Sequence, residues 1–323
     1  MRLHVGVHVA DATLECIKSQ APGVRLTYHP YTPYESAMNL ERFVADAEVL
    51  LGYHADFSMD HAPRLRWLHS AADGIDYLRA TPIMSSDVLV TNSRLFGTPI
   101  AEYVFASALA FYRDFPRMHQ RFQTERVYPT NQWAEYCGEE LSGKTMAIVG
   151  FGDIGRALAR RARAFDMDVV GTRRSASEVT DRDGVRIFPA AALHEVLALG
   201  DVVVIALPLT DETENLIDEA ALRAMKPSAY LVTVGRGRVV QESALLRALR
   251  EGWIAGAGLD VHTHKPVPRD SPFFDLPNVI MTPHMSGITR NFPARLAHLF
   301  CENLRRYLAD EPLLNVVDKR KGY

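Results

Sequence analysis

A glycine-rich segment between a strand pattern and a helix pattern most constrains what this chain can fold into. The segment reads GFGDIG at residues 150–155; it continues the apolar run MAIVG and precedes RALARRARAF, whose apolar residues recur at helical spacing. In such a strand–turn–helix, Gly150 permits a tight turn, Gly152 lets a pyrophosphate approach the backbone, and Gly155 lets the helix pack closely on the strand. The free N–H groups of the helix N-terminus attract an anion. The segment therefore predicts a dinucleotide site, with a merely glycine-rich turn as the alternative.

Short β-branched runs alternate with helical patterns along most of the chain. Five runs precede residue 93, namely LHVGVHV, VRLTYH, VLLGY, LRWLH and VLVTN, and six follow, namely MAIVG, DVVGT, DVVVIAL, AYLVTV, IAGAGLD and VIMTP. One long helix is predicted between the two series, over TPIAEYVFASALAFYRDFPRMHQRF. The alternation predicts an α/β fold of two Rossmann-like domains with parallel sheets and a cleft between them.

The 323 residues are enough for two sizeable cores, so we predict two domains. The dinucleotide-binding domain is predicted over residues 98–285, and the substrate domain over residues 1–97 together with 286–323. The second part of the substrate domain contains a last helix and the apolar stretch LLNVV, which we expect to pack back on the first 97 residues.

Charge and composition exclude several classes of partner. With 36 Lys and Arg against 39 Asp and Glu, the net charge of −3 leaves no basic excess for nucleic acid. No apolar run approaches the roughly 20 residues that span a membrane, and the first residues lack a signal-peptide pattern, so a cytoplasmic protein is expected. The cysteines at positions 16, 137 and 301 have no metal-ligand spacing, and we interpret them as inert thiols without a metal.

The residues that follow the second strand of the nucleotide domain indicate which dinucleotide is bound. An acidic residue is expected there to bind the ribose hydroxyls of NAD, but the strand DVVGT is followed by Arg173 and Arg174. A pair of guanidinium groups suits the 2′-phosphate of NADP, because each can donate two charge-assisted hydrogen bonds to it. Two solvated arginines at a strand end are the alternative. We therefore predict NADP as the cofactor, with NAD as the weaker alternative.

Further motifs carry a resemblance to a known family. They read ALPLTDETENLI at 206–217, LVTVGRGRVVQESAL at 231–245, AGAGLDVHTHKPVPRDSPFFDLPNVI at 255–280 and MTPHMSG at 281–287. Together with GFGDIG they resemble the D-isomer-specific 2-hydroxyacid dehydrogenases, including NADPH-dependent glyoxylate and hydroxypyruvate reductases. The resemblance extends over residues 91–290. It implies reversible hydride transfer between a nicotinamide and C2 of a small 2-oxo or 2-hydroxy acid.

The resemblance also implies roles for individual residues. Arg236 matches the arginine that binds the substrate carboxylate and polarises its carbonyl. His284 matches the acid/base that gives a proton to the carbonyl oxygen. Asp260 is similar to the residue that fixes the nicotinamide carboxamide. By their positions in the motifs, the predicted cofactor-binding residues are Gly150, Gly152, Asp153, Ile154, Gly155, Arg173, Arg174, Leu207, Pro208, Thr213, Thr233, Val234, Gly235, Asp260, Ser286 and Gly287.

The remaining substrate contacts are expected from the first domain. The loop SAADGID resembles the one whose backbone N–H groups bind the substrate carboxylate, which implies contacts from Ala72, Asp73 and Gly74. Tyr53 is expected at the same cleft mouth, beside His54, with plain surface roles as the alternative for both. The family commonly forms homodimers around the linking helix, where Trp133 could reach a partner's cleft; burial within its own subunit is the alternative.

One residue departs from the family pattern at the catalytic centre. The family has a glutamate bonded to the catalytic histidine, whereas DVHTHKP places Lys265 there, unless the loop alignment is slipped. A cation should lower the pKa of the His284 imidazolium, which would confine reduction to lower pH. Lys265 also keeps open a second function, a nucleotide-sensing interaction protein similar to the corepressors that resemble this family.

Overall fold

The computed structural model divides into two compact units, one of Met1–Phe96 with Ile288–Tyr323 and one of Gly97–Gly287. It describes residues 1–30, 44–52, 59–126, 137–174, 184–320 and the backbone of 179–180. The predicted boundary at 97/98 lies one residue after the first of these limits, and the predicted boundary at 285/286 lies two residues before the second. Each unit is described below by itself.

Parallel strands and helices alternate in the described part of the chain. The strands are β1 Arg2–Val5, β2 Arg25–Tyr28, β3 Val49–Gly52, β4 Trp67–Ser70, β5 Leu89–Thr91, β6 Thr145–Val149, β7 Asp168–Arg173, β8 Val179–Thr180, β9 Arg186–Pro189, β10 Val202–Ile205, β11 Tyr230–Thr233, β12 Gly256–Leu259 and β13 Val279–Met281. The α-helices are α1 Asp11–Gln20, α2 Gly97–Tyr112, α3 Phe115–Glu125, α4 Asp153–Ala164, α5 Leu193–Leu199, α6 Glu219–Arg223, α7 Glu242–Glu251 and α8 Phe292–Leu308. All eleven predicted strands are present, which confirms the α/β class. The short strands β8 and β9 were not predicted.

The predicted linking helix is two helices, so that prediction was wrong in its continuity. Asp114 adopts a left-handed conformation with φ of 49° between α2 and α3, which ends the first helix. Pro116 follows in the first turn of α3, where a missing N–H costs no helical hydrogen bond.

The first unit holds a five-stranded sheet of order β2-β1-β3-β4-β5, with every pair parallel. The central strands β3 and β4 are buried on both faces, so the side chains of neighbouring residues enter different cores. Leu50 belongs to the apolar cluster on one face, and Leu51 to the cluster on the other, where Trp67 stacks on Phe300 with ring centroids 5.3 Å apart. The C-terminal stretch LLNVV returns to β5, since Val316 pairs with Thr91.

Two cysteines of the first unit form a disulfide between α1 and α8, which corrects the expectation of free thiols at both positions. Cys16 and Cys301 lie 285 residues apart in sequence, and that separation hid their proximity. Helix α8 packs against α1, so the two side chains meet. Cys137 is a free, exposed thiol.

The second unit holds an eight-stranded sheet of order β13-β12-β11-β10-β6-β7-β9-β8, parallel except for the pair of β8 with β9. The strands β7 and β9 lie on one side of β6, and the next strand in sequence, β10, lies on its other side. Connections therefore run in opposite directions from β6 and β10. In open α/β sheets, ligands bind beyond the carboxyl ends of the strands at such a switch point. None of the described helices is long and apolar enough to cross a membrane.

Candidate active site

The predicted site residues of the second unit lie at the carboxyl ends of β6, β7, β10, β11, β12 and β13 or on the segments that follow these strands. Because these strands are parallel, their carboxyl ends share one edge of the sheet. The sheet therefore brings to one edge a set of residues that are up to 137 positions apart in sequence, from Gly150 to Gly287.

The turn after β6 has the geometry that a glycine-rich phosphate loop requires. Gly150 has φ of +98°, and a Cβ there would stand 2.8 Å from the carbonyl oxygen of Ala206, after β10. At Gly152, which caps α4, a Cβ would meet no described atom within 4 Å, so the helix N-terminus is open on that side. A Cβ at Gly155 would touch Phe151 at 3.1 Å, which explains the close packing of α4. This turn fits a pyrophosphate.

The first turn of α4 also contains two further predicted cofactor residues. Asp153 is exposed and its carboxylate forms an ion pair with Arg156 at 2.6 Å, so its negative charge is partly compensated near the helix N-terminus. Ile154 is half-buried. Their backbone N–H groups lie at the positive end of the helix dipole, where a bound anion is stabilised.

The end of β7 exposes two guanidinium groups. Arg173 is the last residue of β7 and Arg174 follows it; both are exposed. Arg174 lies 3.7 Å from a carboxylate oxygen of Glu212 in the loop after β10. An exposed ion pair of this length contributes little stability, so it does not prevent Arg174 from binding an anion.

The loop after β10 packs between its neighbours. Leu207 lies beside Gly150, and a Cβ at Gly235 would clash with the carbonyl oxygen of Leu207. The Thr213 hydroxyl donates to the carbonyl of Pro208 at 2.7 Å and braces this loop. Of the predicted cofactor residues here, Pro208 is exposed, whereas the hydroxyl of Thr213 is turned to its own loop.

The strand β11 leads into the predicted substrate arginine. Thr233 ends β11, is 3% exposed, and its hydroxyl has no hydrogen-bond partner among the described residues. Val234 and Gly235 are buried, and Arg236 is half-buried, with one guanidinium N–H donating to the Gly235 carbonyl at 3.0 Å. An unsatisfied buried hydroxyl is costly, so a ligand donor or acceptor beside Thr233 would be stabilising.

The Asp260 side chain fixes the loop that follows β13 at this edge of the sheet. The carboxylate is fully buried; its Oδ1 accepts from the Thr282 hydroxyl at 2.7 Å and from the Met285 N–H at 2.8 Å, and its Oδ2 accepts from the Ser286 N–H at 3.0 Å. A carboxylate oxygen has two lone pairs, so Oδ2 has capacity for one more donor, such as a carboxamide N–H. Asp260 thus holds the loop that carries His284.

His284 and Lys265 are in direct contact. Nζ of Lys265 lies 2.7 Å from Nδ1 of His284. His284 has φ of 59°, a left-handed conformation that costs free energy in a non-glycine residue. The two amides that follow His284 donate to Asp260, which holds the loop in this conformation.

The pKa of His284 is lowered to about 4. Burial is the largest cause, and the positive charges of Lys265 and Arg236 follow. The Asp260 carboxylate opposes them, and His262 adds a smaller lowering. The direction is the one expected from Lys265, but burial, which the sequence does not show, contributes more.

The predicted substrate loop belongs to the first unit. The Ala72 carbonyl accepts from Ser93 N–H at 3.0 Å, and the Asp73 carbonyl accepts from the Asn92 side-chain amide at 2.6 Å. In a trans peptide the N–H points opposite to the carbonyl, so the N–H groups of Asp73 and Gly74 point away from Asn92 and Ser93. Two successive N–H groups on one side form an anion-binding concavity. Tyr53, His54 and Trp133 lie outside the described residues.

Three contributors to the site were not predicted from the sequence. The Tyr103 hydroxyl, on α2, lies 2.7 Å from the Thr282 hydroxyl, which donates to Asp260. Nε2 of His262 donates to the Thr282 carbonyl at 2.8 Å. Thr282 directly follows β13 in the motif that contains His284, so its position in that motif could have identified it from the sequence. Tyr103 lies in an apolar helix and gives no such signal.

We expect the Asp260→Asn substitution to loosen the His284 loop. The amide nitrogen of asparagine would then face an N–H or O–H group that now donates to a carboxylate oxygen. The lost hydrogen bond costs about 1–3 kcal/mol. The melting temperature should fall by about 2–4 °C per kcal/mol. Hydrogen exchange at the Met285 and Ser286 amides should accelerate. Asp270→Asn, at an exposed carboxylate, is the matched control, and equal exchange rates in the two variants would contradict the anchoring role.

A family model and a similar protein sequence both indicate the same family. The model of the D-isomer specific 2-hydroxyacid dehydrogenase NAD binding domain matches residues 105–286. A glyoxylate reductase of Pyrococcus furiosus is 36% identical over 271 residues, which cover 80% of this chain and 78% of that protein.

Solved structures extend the similarity to the whole chain. A D-isomer specific 2-hydroxyacid dehydrogenase of Xanthobacter autotrophicus Py2, in complex with NADPH and MES, has a TM-score of 0.82 at 29% identity and covers 100% of this chain and 99% of its own. An NADPH-dependent glyoxylate/hydroxypyruvate reductase of Sinorhizobium meliloti, in complex with NADP and sulfate, has a TM-score of 0.81 at 25% identity with the same coverage.

Proposed function

Because the chain belongs to the D-isomer-specific 2-hydroxyacid dehydrogenase family, we propose that it reduces a small 2-oxo acid to the D-2-hydroxy acid with NADPH. Family membership makes it an oxidoreductase that transfers a hydride between a nicotinamide cofactor and a 2-oxo or 2-hydroxy acid. The relatives are reductases, which does not favour the alternative of a nucleotide-sensing interaction protein.

The observation that carries the proposal is the arrangement of Arg236, His284 and Asp260 at one edge of the sheet. The positive charge of Arg236 lowers the pKa of His284. A guanidinium binds a carboxylate through two parallel hydrogen bonds and polarises the adjacent carbonyl. His284 then gives a proton to the carbonyl oxygen, while Asp260 holds its loop in position.

The residues that would hold the cofactor fit a dinucleotide. The open N-terminus of α4 at Gly152 fits the pyrophosphate, and the remaining lone pair of Asp260 Oδ2 and the unpartnered hydroxyl of Thr233 fit polar groups of the nicotinamide end. When bound, the nicotinamide supplies the hydride. Arg173 and Arg174 fit the 2′-phosphate, and the two similar structures that contain NADP or NADPH support this preference.

The substrate side of the proposal rests on the first unit. The N–H groups of Asp73 and Gly74, which point away from Asn92 and Ser93, would bind the substrate carboxylate, with Ala72 beside them. Tyr53 lies outside the described residues and stays a prediction. Residues 1–97 and 286–323 are proposed as the substrate domain. Glyoxylate and hydroxypyruvate, on which the relatives are named as acting, are the first substrates to test.

The partner of the chain is proposed to be a second copy. Helix α3 has no buried residue, and Phe115 and Phe122 on it are 64% and 53% exposed. Large exposed apolar side chains on one amphipathic helix favour association. Light scattering coupled to size-exclusion chromatography would report a mass of one chain if this part of the proposal is wrong.

The test of function is oxidation of NADPH, followed by its absorbance, against a panel of 2-oxo acids at several pH values. We expect turnover with glyoxylate or hydroxypyruvate and formation of the D-isomer where the product is chiral. The Arg236→Lys variant, which keeps the charge but not the planar fork, should show a raised KM and a lowered kcat. Absence of NADPH oxidation with every acid at every pH would contradict the proposed activity.

A further inference from the structure

The contact between Lys265 and His284 determines which nitrogen of the imidazole carries the proton. The Lys265 ammonium has three N–H donors and no acceptor, so Nδ1 of His284, 2.7 Å away, accepts a hydrogen bond from it. A neutral imidazole whose Nδ1 accepts has its proton on Nε2. In the family pattern a glutamate would accept from Nδ1 instead, which favours the imidazolium. The substitution therefore reverses the direction of this hydrogen bond.

The other groups around His284 leave the imidazole neutral. Arg236, from the loop after β11, and His262, from the loop after β12, act on it in the same direction as Lys265. Asp260 opposes them, but its carboxylate already accepts three hydrogen bonds from residues 282–286. Tyr103, on α2, reaches this group through Thr282 as a neutral hydroxyl. The ring is therefore a donor through Nε2 without being an imidazolium.

A neutral imidazole delivers its Nε2 proton efficiently only when Nδ1 gains another proton in the same step. We propose that Lys265 supplies that proton, so that Lys265 and His284 form a two-step relay from solvent to the substrate oxygen. This inference rests on the proposed function, since it names the origin of the proton that 2-oxo acid reduction consumes.

The step balances in atoms and charge. C2 of the 2-oxo acid receives a hydride, the chemistry that the nicotinamide supplies when bound, and the carbonyl π pair becomes a lone pair on oxygen. The Nε2–H bond of His284 breaks as the new O–H bond forms, and Nδ1 gains the proton that leaves Nζ of Lys265. The lysine is left as a neutral amine and the imidazole as the other neutral tautomer. Lys265 is exposed, so water returns its proton, and the ring proton then exchanges back to Nε2.

The relay is favourable because the proton ends on a stronger base than the one it leaves. An amine has an ordinary pKa of about 10.4, and an alkoxide is a far stronger base. No imidazolium has to accumulate, so the low pKa of His284 does not restrict the reaction. The relay therefore removes the low-pH limit that a repelling cation alone would impose on reduction.

Two variants, Lys265→Arg and Lys265→Met, distinguish proton transfer by Lys265 from a role in positioning His284 alone. Arginine keeps the positive charge and the hydrogen bond to Nδ1 but does not release its proton at any working pH. Methionine removes both. Arg269→Met, at an exposed cation of the same loop, is the matched control for lost charge. Lys265→Glu restores the family pattern.

The first readout is ¹⁵N NMR of the histidine rings in the protein without cofactor. We expect Nε2–H for His284 in the wild type and in Lys265→Arg at neutral pH, and a raised His284 pKa in Lys265→Glu. An Nδ1–H tautomer in the wild type would overturn the relay, whatever the activity of the enzyme.

The second readout is the pH profile of kcat/KM for 2-oxo acid reduction. We expect the wild-type profile to stay level through neutral pH, because the transferred proton comes from Lys265 and not from an imidazolium. Lys265→Met and Lys265→Arg should lose about tenfold for each pH unit above the imidazolium pKa. Added methylamine or ammonium should restore part of the Lys265→Met rate, and Arg269→Met should follow the wild type.

Two results would count against the relay in this assay. A wild-type profile that falls steeply from about pH 5 would show that the imidazolium is the acid and Lys265 only a repelling charge. A Lys265→Arg variant as active as the wild type at pH 8 would show that the lysine proton is not transferred. Inactivity of the wild type with every 2-oxo acid would instead overturn the proposed function, while the NMR result would still report the hydrogen bond.

Discussion

Replacing His284 by glutamine should lower kcat/KM for 2-oxo acid reduction by roughly 10²- to 10⁴-fold, the range that a positioned acid contributes. Glutamine keeps a hydrogen-bond donor of similar reach but cannot release its proton to the substrate oxygen. The affinity for NADPH should change by less than about threefold, because the loop is anchored through backbone amides to Asp260 and not through the imidazole. Steady-state kinetics and direct titration of NADPH measure the two quantities separately.

The matched control for that substitution is His264→Gln. His264 lies on the loop before Lys265, and its side chain is 68% exposed and 3.9 Å from a Glu242 oxygen. Exposed ion pairs contribute little, so this variant should keep the wild-type rate within about twofold. Equal losses in the two variants would mean that the loop, and not the imidazole, determines the rate. An unchanged rate in His284→Gln would remove His284 from the mechanism.

The regular elements could be predicted because their burial leaves a simple pattern in the sequence. Strands such as β3 and β10 are buried along their whole length and read as continuous apolar runs. The strand β9 could not be identified in this way, since RIFP is short and ends in proline. The break at Asp114 depends on one left-handed residue in an otherwise helical pattern, and the pattern alone does not predict it.

The sequence predicts the candidate site as a set of residues but not as a hydrogen-bond network. Parallel strands place their carboxyl ends together, so the motifs that follow them identify the edge of the sheet. The hydrogen bonds of Asp260 depend on the path of the loop at 282–286, and the part played by Tyr103 depends on the packing of α2. The disulfide between Cys16 and Cys301 likewise depends on the return of α8 to α1.

The structure adds a contact to the one mismatch with the family motif, Lys265. From the sequence, a slipped loop alignment could have explained the lysine in place of the glutamate. The 2.7 Å contact with Nδ1 of His284 favours the direct match, because the lysine side chain reaches the histidine to which the resemblance bonds the glutamate. The consequence for catalysis then depends on whether the lysine only repels a proton or supplies one.

Replacing Arg173 and Arg174 together by glutamine should weaken NADPH binding by roughly 10²-fold or more and NADH binding by less than about threefold. Only NADPH carries the 2′-phosphate, and each charge-assisted hydrogen bond contributes about 1.5–3 kcal/mol. Both side chains are exposed, so solvent screening places each loss at the lower end of that range, roughly tenfold. Isothermal titration of the double variant with both cofactors gives the two affinities.

The control for this pair must lose charge without losing the phosphate contact. Arg250→Gln, at an exposed arginine in the last turn of α7, lowers the charge of the same unit away from β7. It should change both affinities by less than about twofold, whereas a long-range field effect would weaken NADPH in the control as well. Higher ionic strength should reduce the gap between wild type and double variant, because the phosphate contacts are exposed. Equal losses for NADPH and NADH in the double variant would mean that the two arginines support the end of β7 and do not select the cofactor.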